Sequence, residues 1–576
     1  MFVFKILILI LSLIGYIKFL LNKFNVRFEF CFALYSSLLV TFLFIGSLLK
    51  LLLPFSIIFF VCGIILFIYY FIKHKFSFSL KKGNYLCLFS VGLIFLFLVL
   101  SLREVKLLHF DNFSHWAIII RQLLEFNNLP DTSNIMTTFV TYPPGTAYFV
   151  YYFCTFFGNS EYFMLVGQAL LLLFFCMPIW AFIKNGKLKY FIAFLFTILV
   201  LVFNDSVANL LVDTFLGLIG LTSLLIIIYY KDNLKKSLFI LVPIHTFLLL
   251  TKNIAIFFYF IDIVYVIYLI FKSKNYLFKD KVVSLLVLFI PLILFSFWKV
   301  RTKIVFGDYV SLSTQNMSLS YFKNNFYEKG FSDLILIVKG FVKGVFDFSY
   351  NECKLFFTLI VMGIIYFIIF KKNNQYKKKI ICFFTCVVVV YALYNAGLLF
   401  AYIFSMTLDE AIRLACYDRY LSTVVIMLLG LVLALYFYGV DFKHQIIFEI
   451  LISSVCIIYI IISPGLNEFL GKQNYGTSTR CKIQNAIKGM PISTNLNYLV
   501  ISNESKVNGY ISLIFKYNFM HRNFIVVSDS STLDKYNILN YDYVITLDSD
   551  DYVNEFLSYK TEYDGKTGFY KVEKER

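Results

Sequence analysis

A polytopic α-helical membrane protein with about 14 spans and a small α/β domain at its C-terminal end is what this sequence predicts. Three observations carry that expectation. Of 576 residues, 60% are hydrophobic and 15% charged, against roughly 45–50% and about 25% in soluble domains. Apolar runs near the length that crosses a hydrocarbon core recur along most of the chain. The residues beyond Leu466 differ in kind, with short β-branched runs between polar stretches. A soluble single-core enzyme and a disordered chain are excluded. A transmembrane β-barrel is excluded too, since its short alternating segments are absent.

The spans fall at 4–21, 28–49, 52–72, 84–102, 160–182, 190–203, 211–230, 237–251, 254–271, 282–298, 354–370, 380–404, 420–438 and 446–463. The first run has no small-residue cleavage site and reads as a span, not a signal peptide. Alternate loops are basic. They carry Lys23 and Arg27, then Lys81 and Lys82, then Lys184 and Lys187, then Lys231 and Lys235, then Lys279 and Lys281, then Lys377 to Lys379. By the positive-inside bias these loops are cytoplasmic. The outer set is then 103–159, 204–210, 299–350, 405–419 and the tail from about 464. Long loops are usually functional, so chemistry is expected on the outer face. The expected division is 1–83 as additional helices, 84–463 as a helical core with the outer loop 103–159, and 464–576 as an α/β domain. The runs at 497–502, 523–528 and 542–547 are its expected strands.

The formal net charge is +18. From Leu466 onward 13 basic residues balance 13 acidic ones, so the excess lies in the apolar part. The charge therefore reads as membrane topology, and no nucleic-acid partner is expected. The 11 cysteines include no Cys-X-X-Cys pair, and the tail has Cys481 alone. An outer domain without a disulfide suits a bacterial envelope.

Asp111 follows the fourth span by a few residues. From Asp111 to Phe126 the pattern fits an amphipathic helix with Phe113, Trp116, Ile120 and Leu124 as its apolar stripe. Trp116 suits the membrane interface. Four-residue spacing puts Asp111 and His115 on one face. Asp111 reads either as a helix N-cap or as a general base at the membrane surface. His115 reads as a surface residue or a supporting contact. Tyr142-Pro143-Pro144-Gly145 is a stiff extended turn.

An acidic residue after an early span, an interfacial helix, then Tyr-Pro-Pro before the next helix resembles the GT-C superfamily of polyprenyl-phosphate-dependent glycosyltransferases. In protein O-mannosyltransferases and lipid A aminoarabinose transferases of that superfamily the first outer loop carries an essential acidic residue, and a similar His/Tyr-Pro-Pro element follows. The resemblance covers residues 85–185; the acidic position is Asp111-Asn112 here, where the family commonly has Asp-Glu. It implies a GT-C-like fold and Asp111 as the catalytic base. The implied partners are a polyprenyl-phosphate-linked sugar, an acceptor glycan, lipid or protein, and membrane lipid. It implies an outer-face site in a bacterial cytoplasmic membrane. No cofactor follows, and a divalent metal, used by some relatives, stays open.

Other polar residues fit around that reading. Lys252 ends a span, as a snorkelling lysine or a contact to the donor phosphate. Arg413 and Arg419 stand at the mouth of another, as interfacial anchors or as planar phosphate clamps. Asp205 and Asp213 flank the seventh span, as a polar cap or as sugar or acceptor contacts. Asp262 is an intramembrane carboxylate, a functional candidate by default, or else paired with a lysine or protonated against a hydroxyl. The Asp548-Ser549-Asp550-Asp551 run reads as a solvated acidic turn, since nucleotide sugars are absent outside the cell. No His/Cys cluster has metal spacing. The reading is an inverting transferase whose lipid-phosphate leaving group needs no metal in principle, with metal use left open. Its rivals are a flippase or transporter of lipid-linked glycans and a glycan polymerase or ligase; a purely structural role leaves the charged outer loops unexplained.

Overall fold

The computed structural model describes residues 2–74, 81–184, 186–203, 207–273, 277–307, 319–370, 374–439, 445–503, 509–520 and 523–574. It is mostly helical. The chain runs through α1 (Phe2–Lys23), α2 (Phe28–Leu48), α3 (Leu52–His74), α4 (Lys82–Ser101), α5 (Ala117–Phe126), α6 (Gly145–Phe157), α7 (Glu161–Cys176) and α8 (Lys187–Val202). It continues through α9 (Asp213–Tyr229), α10 (Leu234–Leu249), α11 (Ala255–Lys272), α12 (Phe278–Phe306), α13 (Leu319–Tyr327) and α14 (Phe331–Val345). Then come α15 (Asn351–Phe370), α16 (Asn374–Phe404), α17 (Leu408–Ile412), α18 (Tyr417–Tyr438), α19 (Gln445–Ile462), α20 (Leu466–Phe469) and α21 (Thr479–Ala486). The last segment alternates β1 (Tyr498–Ile501), α22 (Tyr510–Phe519), β2 (Phe524–Val527), β3 (Tyr543–Thr546), α23 (Asp551–Ser558) and β4 (Gly568–Lys571).

Eleven helices among the described residues are long and apolar enough to cross a membrane. Helices also occupy the other three expected positions, as the shorter α8, α9 and α10. All eleven cysteines are free.

Two compact units form: residues 1–105 with 139–471, and residues 106–138 with 472–576. The expected division had grouped the whole loop 103–159 with the helical core. Instead its first part folds with the C-terminal residues.

In the helical unit, α2, α7, α9 and α18 are largely enclosed, while α1, α3, α4 and α12 expose apolar side chains such as Ile65, Phe89 and Leu286. Apolar side chains gain nothing by leaving lipid for protein, so contacts in such a bundle favour small residues and hydrogen bonds. That is what the helix pairs show. Ser12 Oγ donates to the Phe60 carbonyl where α1 and α3 cross at Gly15 and Gly63. A Cβ on Gly217 would lie 2.2 Å from the Thr423 carbonyl oxygen, and one on Gly430 would lie 2.2 Å from Leu221. These contacts advance together along α9 and α18, so the two helices are parallel. So are α8 and α19, joined from Gly186–Glu449 to Val202–Gly465. By contrast α4 and α7 are antiparallel. Tyr162 Oη donates to the Val99 carbonyl, and Trp180 lies beside the first turn of α4.

Basic loops converge at one end of this unit. Arg27, Lys81, Lys82, Lys184, Lys187 and Lys231 line a single cavity there. The start of α9 lies at the other end.

The second unit is built on a four-stranded sheet of order β2-β1-β3-β4. β1 pairs in parallel with β2 and β3, and β4 is antiparallel to β3. The three named runs are strands, and the total of four lies within the two to four the sequence predicts; the fourth, at 568–571, follows no run named there. Leu499, Ile501, Val544, Val553 and Leu557 form the core on one face. On the other elements, Phe113 meets the rings of Tyr510 and Tyr517 from α22 at 5.8 and 5.2 Å. Arg480, 4% exposed, donates to the Leu107 carbonyl and lies over the Phe113 and Tyr517 rings. The Gln473 amide takes both polar groups of Lys106, accepting from its N–H and donating to its carbonyl, each at 2.8 Å. These bonds explain why 106–138 belongs here: its apolar stripe has a protein partner, not a membrane surface.

The acidic run after β3 is not a merely solvated turn. Asp548 accepts from the Asn503 N–H at 2.7 Å. Asp550 accepts from Ser530 Oγ at 2.6 Å and from Asn503 Nδ2 at 2.8 Å, and its side chain caps α23 at Val553. Partial burial pushes the Asp550 carboxyl up, but these donors outweigh it and hold the group below its ordinary range. Lys574 and the Asn497 N–H do the same for Asp542 against its desolvation. A depressed carboxylate adds stability above its unfolded pKa, and that stability is lost as pH falls through the folded value. The unit is therefore expected to loosen on acidification below about pH 4. Trp116 is its one tryptophan and is 5% exposed. In a chain carrying Trp180→Phe and Trp298→Phe, its emission should shift red over that range. Unchanged emission down to about pH 2 would refute the expectation.

Candidate functional site

Three of the residues singled out in the sequence meet at the start of α9. Lys252 Nζ lies 2.6 Å from Asp213 Oδ1, and Arg419 Nε lies 3.4 Å from Asp213 Oδ2. The three side chains are 9%, 4% and 13% exposed for Lys252, Asp213 and Arg419. Each position follows from local structure. Asp213 is the first residue of α9, where a carboxylate is favoured by the helix dipole. Lys252 follows the last turn of α10, where a cation is favoured. Arg419 stands in the first turn of α18, the disfavoured end for a cation, and the carboxylate beside it compensates. The close crossing at Gly217 brings the two helix starts within reach. Lys252 and Arg419 also flank the Tyr420 ring at 5.0 and 5.5 Å.

The Tyr-Pro-Pro-Gly element docks beside this cluster. The Gly145 N–H donates to the Leu250 carbonyl at 2.7 Å, two residues before Lys252. A Cβ on Gly145 would lie 2.4 Å from that oxygen, so only glycine permits the approach. Trp298 of α12 donates through Nε1 to the Thr141 carbonyl, 3.1 Å away. Lys299 Nζ donates to Asn253 Oδ1 at 2.8 Å. Tyr142 is half-buried, its ring 5.5 Å from that of Phe139. The turn and the loop after α10 are thus held as one piece of backbone.

Asp111 belongs to the other compact unit. It sits at the N-terminal edge of a π-helical turn, Asn112–Trp116, that leads into α5. It is half-buried, its side chain makes no cap hydrogen bond, and its N–H donates to His109 Nδ1 at 3.1 Å. The N-cap reading is thereby corrected. The continuous α-helix expected from Asp111 is corrected as well. The Ser114 carbonyl accepts from the Thr138 N–H at 2.8 Å within the widened turn. Such π turns often accompany functional sites. His115 is buried, 1% exposed, and stands edge-on to Trp116 with ring centres 4.5 Å apart. It is not the surface residue expected.

Arg413 is exposed and pairs with Asp409 one turn earlier at 3.2 Å, outside the buried cluster. Asp205 lies outside the described residues. Asp262 is paired with neither a lysine nor a hydroxyl alone: its Oδ2 is 2.9 Å from His245 Nε2, both side chains being 1% exposed. Sequence reasoning passed over His245, although a histidine inside an apolar helix one span from an aspartate was the available signal. Among the described residues no three His, Cys, Asp or Glu side chains converge to hold a metal.

No family model, no curated protein and no solved structure matches this chain. The buried Asp213–Lys252–Arg419 group, with the Tyr-Pro-Pro-Gly turn beside it, is among the described residues the helical unit's most concentrated set of charged side chains withdrawn from water.

Proposed function

We propose that the protein is a GT-C-like glycosyltransferase of a bacterial cytoplasmic membrane, with 14 crossings and its chemistry on the outer face. The single observation that carries this reading is the docking of the Tyr142–Gly145 turn against the backbone that presents Lys252. Two sequence elements far apart, chosen for one chemistry, are neighbours. The parallel and antiparallel helix pairs support the alternation that 14 crossings require, and the convergence of basic loops supports the orientation.

In this mechanism the donor is a sugar on polyprenyl phosphate. A carboxylate, for which the sequence resemblance offers Asp111, takes the proton of an acceptor hydroxyl. The hydroxyl oxygen attacks the anomeric carbon as the bond from that carbon to the phosphate oxygen breaks. The configuration inverts, and polyprenyl phosphate leaves with the electron pair. Lys252 and Arg419 stabilise the growing phosphate charge from a site already withdrawn from water. Asp213 holds the two cations in place before the donor arrives. A planar guanidinium suits a phosphate oxygen pair.

The test compares envelope glycans and lipid-linked sugars by mass in cells carrying the native chain or Asp111→Asn at equal abundance. Loss of one defined sugar with build-up of its lipid-linked donor is expected. Full transfer by Asp111→Asn would sink the assignment of the base. The buried His245–Asp262 pair favours a second reading, a transporter of lipid-linked glycans, because paired intramembrane ionisable groups mark transport paths. Transporter loss would leave the lipid-linked sugar on the inner leaflet, which separates the two.

A further inference from the structure

The helical unit holds a second polar feature, at the end opposite the Asp213 cluster. A cavity of about 1080 Å³ opens among the segment Trp180–Lys184 that follows α7, the ends of α9 and α18, the link between α1 and α2, and the starts of α4 and α8. Six cationic side chains line it against two acidic ones, Glu29 and Asp232. Glu29 is already engaged, receiving both Nε and Nη2 of Arg27 at 2.9 and 3.1 Å. Arg27 is fixed further by Tyr229 Oη, 2.6 Å from Nη1. Lys184 lies over the Tyr438 ring at 3.9 Å. Lys81, Lys82, Lys187 and Lys231 have no ion pair among the described residues.

Topological bias accounts for basic loops, but not for their closing around one cavity with an arginine held rigidly in its wall. A concave site lined by one sign of charge concentrates counter-ions. The starts of α4 and α8 also face it, and neither is capped by a side chain. Their first N–H groups add donors suited to an anion. The volume far exceeds what one small ion needs, and the site lies at the ends of membrane-length helices. Basic pockets in that position hold lipid phosphates.

We infer that this cavity binds a phosphate group, carried by an anionic phospholipid headgroup or free in solution. Site and ligand are independent of the transferase reading.

The test uses the full chain purified in a nonionic detergent. One arm measures by native mass spectrometry the retention of phosphatidylglycerol against phosphatidylcholine. The other measures thermal unfolding with and without inorganic phosphate. The variant is Lys81→Gln, Lys187→Gln and Lys231→Gln together, all exposed positions. A control of equal charge loss carries Lys323→Gln, Lys339→Gln and Lys343→Gln on α13 and α14. Preferential retention of phosphatidylglycerol by the native chain and the control, at least tenfold weaker in the cavity variant, supports the site with lipid as its source. Stabilisation by phosphate in those two chains but not in the variant, without lipid preference, supports it with a soluble source. Equal behaviour of all three chains in both arms overturns the inference. A cavity variant that unfolds without ligand is replaced by Lys187→Gln alone, which must still weaken binding more than any single control change.

Discussion

Replacing Asp213 with alanine is expected to cost about 3–5 kcal/mol, the scale for stranding buried charge by removing its partner. Lys252 and Arg419 would both lose the carboxylate between them. The measurement is thermal unfolding of the purified protein in detergent. Asp213→Asn should fall between, since an amide oxygen still accepts from Lys252 while the charge is gone. Lys252→Met, which removes one cation and leaves Arg419 on the aspartate, should cost less than Asp213→Ala. If Asp213→Ala unfolds like the native chain, the cluster is not the buried charged group described. Transfer activity, under the proposed function, should fall with Asp213→Ala even below its melting temperature, because the phosphate-facing cations lose their anchor.

Gly217→Leu is the second large effect. The Cβ alone would lie 2.2 Å from a backbone oxygen of Thr423, an atom that no rotamer change can move. The helices must part, and the cost is expected at the upper end of about 1–3 kcal/mol or beyond it. The same movement would draw Asp213 away from Arg419, one turn along each helix. Gly92 in α4 supplies the contrast: a Cβ there meets nothing within 4 Å. Gly92→Ala should be neutral or gain up to about 1 kcal/mol from helix propensity. Equal melting temperatures for the Gly217 and Gly92 variants would refute the close crossing.

The parts of this fold that were legible in the sequence are those governed by local chemistry. Apolar length marks helices such as α2 and α18 wherever they pack, and the β-branched runs before Ser502, Ser528 and Leu547 mark strands for the same reason. Lys252 and Arg419 were visible as charges at helix ends. Their common partner, Asp213, was visible only as one of two aspartates, because the pairing depends on a helix crossing set by Gly217 and Thr423, some 200 residues apart. The Phe113 and Trp116 stripe shows the opposite case. Its pattern correctly announces a buried face, but an apolar stripe does not say whether lipid or protein covers it. The side chains that answer, Tyr510, Tyr517 and Arg480, lie near the other end of the chain. The π turn at Asn112–Trp116 has no sequence signature either, being tied to a bond between Ser114 and Thr138.

The pairing of Lys106 with Gln473 spans 367 residues, and that distance sets a schedule for biogenesis. A ribosome adding about 5–20 residues each second needs roughly 20–70 s to supply the second half of this unit after the first. Throughout that interval Phe113, Trp116 and Ile120 stand on their loop with their eventual partners unmade. The small unit matures last, after every helix between its two pieces has been inserted. A chain halted anywhere before the tail emerges would display that apolar face permanently, a ready mark for quality control.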